Sequence, residues 1–329
     1  MKAVTLSKGL MLAASMTLLT PAVSAETLVL GHGAAPDNPR TRAADLFAAL
    51  VSDYTGGELE VQTQGSEQLG SDTEMLQQVQ TGALDLSANS QGPLASIAPK
   101  ANVFGLPFLF DSPQAAWEVV DGEIGDEVAQ QAEERGIKVL TYWGNGIRHT
   151  TNNVRPIEGP SDFEGLKIRT PDDSMTISIF ETLGANPEPL AFGELYTALQ
   201  QGAMDGQENP IVNIWSSDLY EVQEYLSLTG HKYEVTPFVV SLQTWNQLSG
   251  EHQEAITRAA EEAGTYQRME LVRQTKELLP RLEEAGVAIN EADVAALREA
   301  TSSVYDAWED ELGDIVPEAR EAAEAANAQ

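Results

Sequence analysis

The chain has 329 residues, 51 of them acidic and 19 basic, for a formal charge of −32, with 42% hydrophobic residues and no cysteine. So acidic a composition offers no basic face to displace the counterions of a nucleic-acid backbone, and without Cys there are no disulfides, thiolate metal sites, Cys nucleophiles or lipidated N-terminal Cys. The length exceeds what a single hydrophobic core usually serves, so two domains are predicted.

At the N-terminus, Lys2 and Lys8 accompany an apolar run from Gly9 to Leu19, and Val23-Ser24-Ala25 follows Pro21. This is the order of a secretory signal peptide, predicted to be cleaved after Ala25 and to direct the remainder to the periplasm. The run is shorter than the ~20 residues of a membrane span. Thr27 to Gly31 then reads as a strand. Asn38-Pro39 supplies an N-cap and a proline at the first helical position, for a helix from Pro39 to about Tyr54. A strand is expected from Glu58 to Thr63. The capping box Ser71-Asp72-Thr73-Glu74 opens a helix that stops at Gly82, before a strand over Leu84 to Ala88. This alternation continues to about residue 235 and predicts α/β layers with largely parallel sheets, whose ligands sit at the carboxyl ends of strands.

The segment Glu74-Met75-Leu76-Gln77-Gln78-Val79-Gln80-Thr81-Gly82-Ala83-Leu84-Asp85 returns as Glu194-Leu195-Tyr196-Thr197-Ala198-Leu199-Gln200-Gln201-Gly202-Ala203-Met204-Asp205. The register sets Asn89 opposite Asn209 and suggests two similar lobes with a cleft between them. From the predicted N-cap Ser249 to Glu284 the pattern is helical, with Gly264 and Pro280 as interruptions and Gly286 as the stop. That is roughly 50 Å, long enough to brace both lobes. Glu291 to Arg320 is expected to be helical and Glu321 to Gln329 to fray.

No motif supports catalysis: Gly-x-Ser-x-Gly, a phosphate-cradling glycine loop and His-Glu-x-x-His are all missing. His32, His149, His231 and His252 lack metal-ligand spacing and read as surface or supporting residues. Only His32, just after the first strand, suggests a pocket. The scarce basic residues carry more information. Arg148 follows Gly144-Asn145-Gly146-Ile147, read as a turn after a strand at Val139 to Trp143, and Arg169 ends the short apolar strand in Gly165 to Pro171. Arginines at two strand ends can hold a carboxylate through paired hydrogen bonds, although an internal salt bridge is an equal reading for Arg148 alone.

At these residues the chain resembles the solute-binding proteins of TRAP (tripartite ATP-independent periplasmic) transporters, of the DctP type. The resemblance runs from Thr27 to about Ala285. It rests on Gln68 to Asp72, Leu106 to Phe110, Gly146-Ile147-Arg148, Leu166 to Pro171 and, above all, Glu194 to Gln200 leading to Asp205-Gly206-Gln207-Glu208-Asn209-Pro210. It implies a two-lobed periplasmic binding protein fold with a long helix bracing both lobes. The lobes would comprise 26–145 with 235–274, and 146–234 with 275–329, hinged near Gly144 to Gly146 and Glu234 to Thr236. By position it makes Arg169 the carboxylate clamp, Asn209 a second donor to that carboxylate, Arg148 a further ligand arginine, Phe192 a pocket wall and Glu208 either a residue that orients Arg169 or a structural one. Asn89 or Ser90 would read the rest of the ligand, with His32 nearby. These residues suit hydroxyl groups and favour a uronate or aldonate, with a C4-dicarboxylate or keto acid as the alternative. A sensor module or an acid-pair hydrolase is less favoured. The implied partners are a small carboxylate and the membrane permease subunits, with no cofactor or metal, and the implied state is a monomer.

Overall fold

The computed structural model describes residues 25–328; the predicted signal peptide, apart from Ala25, lies outside them. One sheet of nine strands organises the fold: β1 (Glu26–Gly31), β2 (Leu59–Gln64), β3 (Leu86–Ala88), β4 (Ile137–Asn152), β5 (Lys167–Thr170), β6 (Asn186–Pro189), β7 (Gly206–Pro210), β8 (Tyr225–Ser241) and β9 (Ala288–Glu291). Their order is β2-β1-β3-β8-β4-β7-β5-β6, with β9 beside β8. The wings are parallel, β1 with β2 and β3, and β5 with β6 and β7. The centre is antiparallel, β8 pairing with both β3 and β4. The expectation of largely parallel sheets therefore holds for the wings and fails at the middle, where two long strands pass from one wing to the other.

The internal repeat is structural. Read from both ends, the order places β2 against β6, β1 against β5 and β3 against β7. Each copy is a helix, Asp72–Thr81 or Phe192–Gln200, leading into the inner strand of its wing. The repeated aspartate does the same work twice. Asp85 accepts from the Val29 amide in β1 at 2.8 Å, and Asp205 accepts from the Lys167 amide at the start of β5 at 2.9 Å. Local signals also hold: Asn38 caps the helix Pro39–Tyr54 by accepting from the Arg40 amide, and the Ser71/Glu74 capping box is formed.

The predicted turn at Gly144 to Gly146 is instead a β-bulge inside β4. The pairing register with β8 shifts between Gly144 and Gly146, and Gly146 sits at φ +123°, a conformation that a side chain would strain. Arg148 is consequently a mid-strand residue and not a strand-end one, so the two arginines do not occupy equivalent positions.

The helix Gly250–Glu284, 35 residues long, is capped by Ser249, which accepts from the His252 amide. Its length of about 52 Å matches the roughly 53 Å of the 16-residue β4. One stretch of its buried face is made of small residues, Ala259, Ala260, Ala263 and Gly264, which let the helix approach β4 closely. Trp143 donates its ring N–H to the Ala260 carbonyl at 3.1 Å. Gln267 closes two bonds on the bulge, accepting from the Gly144 amide at 2.8 Å and donating to its carbonyl at 2.7 Å. The helix Ile315–Asn327 corrects the expectation that the chain frays after Glu321. Ala323 and Ala326 are buried, and the Asn327 side chain accepts from the Asp111 amide and donates to the Leu109 carbonyl.

A Cβ at Gly264 would lie 2.7–2.8 Å from the Trp143 ring. Ala is intrinsically about 1 kcal/mol better than Gly inside a helix, but a buried indole cannot retreat. Gly264→Ala is expected to lower the denaturation midpoint; a gain in stability would refute the close packing of helix on bulge.

Candidate functional site

A cleft of about 340 Å³ opens where the carboxyl ends of the parallel strands face one another. One wall follows β1, β2 and β3, with Arg40, Asp72 and Ser90; the other follows β5, β6 and β7, with Arg169, Phe192 and Asn209. Side chains link the two walls. Asn38 donates to Asn213 Oδ1 at 2.8 Å and to Ser216 Oγ at 3.2 Å, Thr73 donates to Asp172 at 3.3 Å, and Glu67 accepts from the Gly193 amide at 2.7 Å. Glu67 and its neighbour Ser66 lie at positive φ, 56° and 55°, a sparsely populated conformation for such residues. That loop carries the Glu67 carboxylate onto the first turn of the helix Phe192–Gln200, where free amides favour an anion. Burial and the nearby Asp72 raise the Glu67 pKa.

The two predicted arginines are both buried but differently answered. Arg148 is held in an ion-pair network. Its Nε and Nη2 meet the Glu208 carboxylate, Nη2 also donates to the Glu208 carbonyl, and Nη1 meets Glu234. Burial alone would raise the Glu208 carboxyl, but Arg148 and the His231 ring bonded to it hold it at about 2. Asn145 donates to Glu234 at 2.7 Å, and Lys232 pairs with Asp173 at 2.5 Å. Arg169 meets no carboxylate within 4.0 Å among the described residues. Its Nε and Nη2 both donate to the Leu190 carbonyl, and its guanidinium lies 5.8 Å from the centre of the Phe192 ring. Burial lowers its pKa to about 10. A guanidinium that stays charged at neutral pH is thus held beside a cleft with only a neutral acceptor and an aromatic face.

Asn209 joins Arg169 on this wall. Its Oδ1 accepts from Asn213 at 3.1 Å and its Nδ2 donates to Gln207, so the amide is oriented by a chain of side chains. Ser90 and Phe192 also line the cleft. Three predicted roles are corrected. Glu208 orients Arg148, not Arg169. Asn89 does not line the cleft; its Oδ1 accepts from the Gly33 amide at 3.0 Å and so fixes the turn after β1. His32 does not line the cleft; it is buried with neither ring nitrogen bonded, and burial lowers its pKa to about 4. His231 is likewise buried, between Thr229 and Glu208, rather than on the surface. Sequence reasoning missed Arg40, Glu67, Asp72 and Asn213. The scarcity of basic residues could have flagged Arg40, which stands in the first turn of the helix that follows β1.

This geometry defines a class, a two-sided α/β binding protein whose cleft is prepared for an anion. The family is shown by comparison. The family model for bacterial extracellular solute-binding proteins, family 7 (DctP), matches residues 30–311, and the chain belongs to that family, the solute-binding proteins of TRAP transporters. It is 35% identical to the 2,3-diketo-L-gulonate-binding periplasmic protein YiaO of Escherichia coli over 88% of each chain. It spans 54% of the length of the uncharacterized protein y4mM of Sinorhizobium fredii, at 47% identity over 89% of this chain. Among solved structures, the sugar acid binding protein DctPAm of Advenella mimigardefordensis in complex with galactonate has a TM-score of 0.90 at 33% identity, covering 92% of this chain and 99% of that one. A TRAP periplasmic solute-binding protein of a Polaromonas species, bound to D-erythronate, has a TM-score of 0.88 at 34% identity, with the same coverage. The two-lobed fold expected from the sequence is the fold of these proteins.

The contrast between the arginines is testable without any ligand. Arg148→Ala strands Glu208 and Glu234 and is expected to cost about 3–5 kcal/mol in denaturant unfolding. Arg169→Ala strands no carboxylate and is expected to cost about 1 kcal/mol or less; equal losses would remove the distinction. His32 gives a pH signature. In an unfolded chain it ionises near pH 6.5, against about 4 when folded, so between those values the unfolded chain holds the extra proton. Its contribution is full above pH 6.5 and declines as pH falls towards 4. Midpoints measured over that range should fall less steeply in His32→Asn than in the parent; identical slopes would contradict the burial of an uncharged ring.

Proposed function

We propose that the protein is an exported binding component of a TRAP transporter that captures a sugar acid and delivers it to a membrane permease. The observation that carries this reading is Arg169, buried beside the cleft without a carboxylate of its own. A ligand carboxylate supplies the missing countercharge, with Asn209 as neighbouring donor, and the pair gains strength from the low-dielectric site. Sugar acids are favoured over simpler acids because the opposite wall is polar, with Arg40, Asp72 and Ser90. The relatives support this, one named for 2,3-diketo-L-gulonate and others bound to galactonate and D-erythronate.

In this reading the lobes are 26–145 with 235–274, and 146–234 with 275–329. They move about the bulge at Gly144 to Gly146 and the facing Glu234 to Thr236, closing as Glu67, Asn38 and Thr73 engage the other wall. The protein performs no chemistry on its cargo and acts as a monomer. Residues 1–25 direct it to the periplasm.

A thermal-shift screen against aldonates, uronates, C4-dicarboxylates, keto acids and neutral sugars tests this, since a ligand of the folded state raises its midpoint. The expected result is a clear shift with a sugar acid. Arg169→Ala should lose that shift, with affinity reduced by about 3–5 kcal/mol as the ligand charge is left unpaired. Undiminished binding by Arg169→Ala, or shifts with neutral sugars alone, would overturn the proposal.

A further inference from the structure

The wall facing Arg169 holds a second guanidinium that the family resemblance did not single out. Arg40 is the second residue of the helix Pro39–Tyr54, lines the cleft and is 5% exposed. Its Nη2 donates to Thr236 Oγ1 at 2.9 Å, its Nε has no partner, and no carboxylate lies within 4.0 Å of it among the described residues. On the same wall, Asp72 opens the helix Asp72–Thr81. Its Oδ2 accepts from the Ser90 amide at 3.1 Å, while its Oδ1 is buried without a partner.

These two groups pose opposite demands. A guanidinium can only donate and a carboxylate can only accept. A second ligand carboxylate would answer Arg40 but bring a like charge towards Asp72, with Glu67 and Asp172 also lining the cleft. A hydroxyl answers both, accepting from Arg40 and donating to Asp72. We infer that Arg40 and Asp72 form a hydroxyl-reading pair that selects monocarboxylates hydroxylated beyond the clamped end and rejects acids charged at both ends. The inference rests on the sugar-acid reading and narrows it. Specificity arises because a ligand lacking the right group leaves buried polar atoms unpaired, or like charges opposed.

The test uses matched six-carbon acids. D-galactonate and D-gluconate carry one carboxylate; D-galactarate and D-glucarate carry the same hydroxyl-bearing skeletons with a carboxylate at each end. Dissociation constants are measured by calorimetry at fixed ionic strength, with thermal unfolding as a check on folding. The parent protein should prefer at least one monocarboxylate over its dicarboxylate counterpart by about 100-fold or more. Asp72→Asn should shrink that ratio by about tenfold or more, by removing the opposing charge. Arg40→Gln should weaken monocarboxylate binding by about 10- to 100-fold. If Arg40→Gln does not fold, Arg40→Lys, which keeps the charge but loses the fork, should still weaken it by about threefold or more.

Dicarboxylates bound as tightly as monocarboxylates by the parent, or variants that scale both classes equally, would overturn the pair as a selector while leaving the sugar-acid reading intact. If no sugar acid binds, neither these four nor the uronates and aldonates of the thermal-shift screen, the sugar-acid reading falls and the selector falls with it.

Discussion

A guanidinium withdrawn from water needs compensation, and the junction between the two wings is organised by how that need is met. Arg148 receives two carboxylates, Glu208 from β7 and Glu234 from β8. Those acids bring further partners, since His231 joins Glu208 and Asn145 joins Glu234. Lys232 and Asp173 form an adjacent pair. The network ties β4, β7 and β8 at the point where the chain passes from one wing to the other. A buried network of this kind is weak evidence for net stability but strongly penalises any arrangement that separates its members. It thereby fixes the register on which the cleft depends. Arg169, a short way along the sheet, is denied such partners, so that of the two buried arginines lining the cleft one is already neutralised and the other is not.

The proposed closure requires motion without loss of alignment. β4 and β8 run unbroken through the centre, and of the three register shifts between them the one at Gly144 to Gly146 falls on glycines, where a bend strains no side chain. The long helix lies along this pair, and Gln267 grips Gly144 by both backbone groups. A bend at the bulge is thus referred to a rigid element that spans the same distance. The links across the cleft are a few hydrogen bonds from polar side chains to one another or to a helix terminus, weak enough to be made and broken.

Much of this was legible in the sequence because it depends on local chemistry. Caps at Asn38, Ser71 and Ser249 and the stop at Gly286 are short-range effects, and the repeated Asp85 and Asp205 mark a tertiary bond formed twice. Arg169, Asn209, Ser90 and Phe192 all line the cleft, as their positions suggested. Where the reading failed, partners distant in sequence decided the outcome. Arg148 looked like a strand end because Gly144 and Gly146 resemble turn residues, yet pairing with β8 carries the strand through. Glu208 was assigned to the nearer-seeming arginine, whereas its side of β7 faces Arg148. Asn89 and His32 sit where strand ends predict a site, but the turn after β1 consumes one and the other is buried without lining the cleft. The last turns of the C-terminal helix were expected to fray, and they dock through alanines that carry little hydrophobic signal.

The acidic exterior has a kinetic meaning of its own. With 51 acidic residues in the sequence and arginines gathered at the cleft, an approaching anion meets a repulsive field before it meets an attractive one. The outer field is screened beyond roughly 8–10 Å at physiological ionic strength and extends to about 30 Å in dilute buffer. In the proposed mode of binding, the contacts at Arg169 are made inside the cleft, where salt penetrates little. Ionic strength therefore acts mainly on the encounter, so that added salt speeds capture and leaves the residence time of the bound acid largely unchanged, the reverse of the usual behaviour when charged partners attract each other at long range.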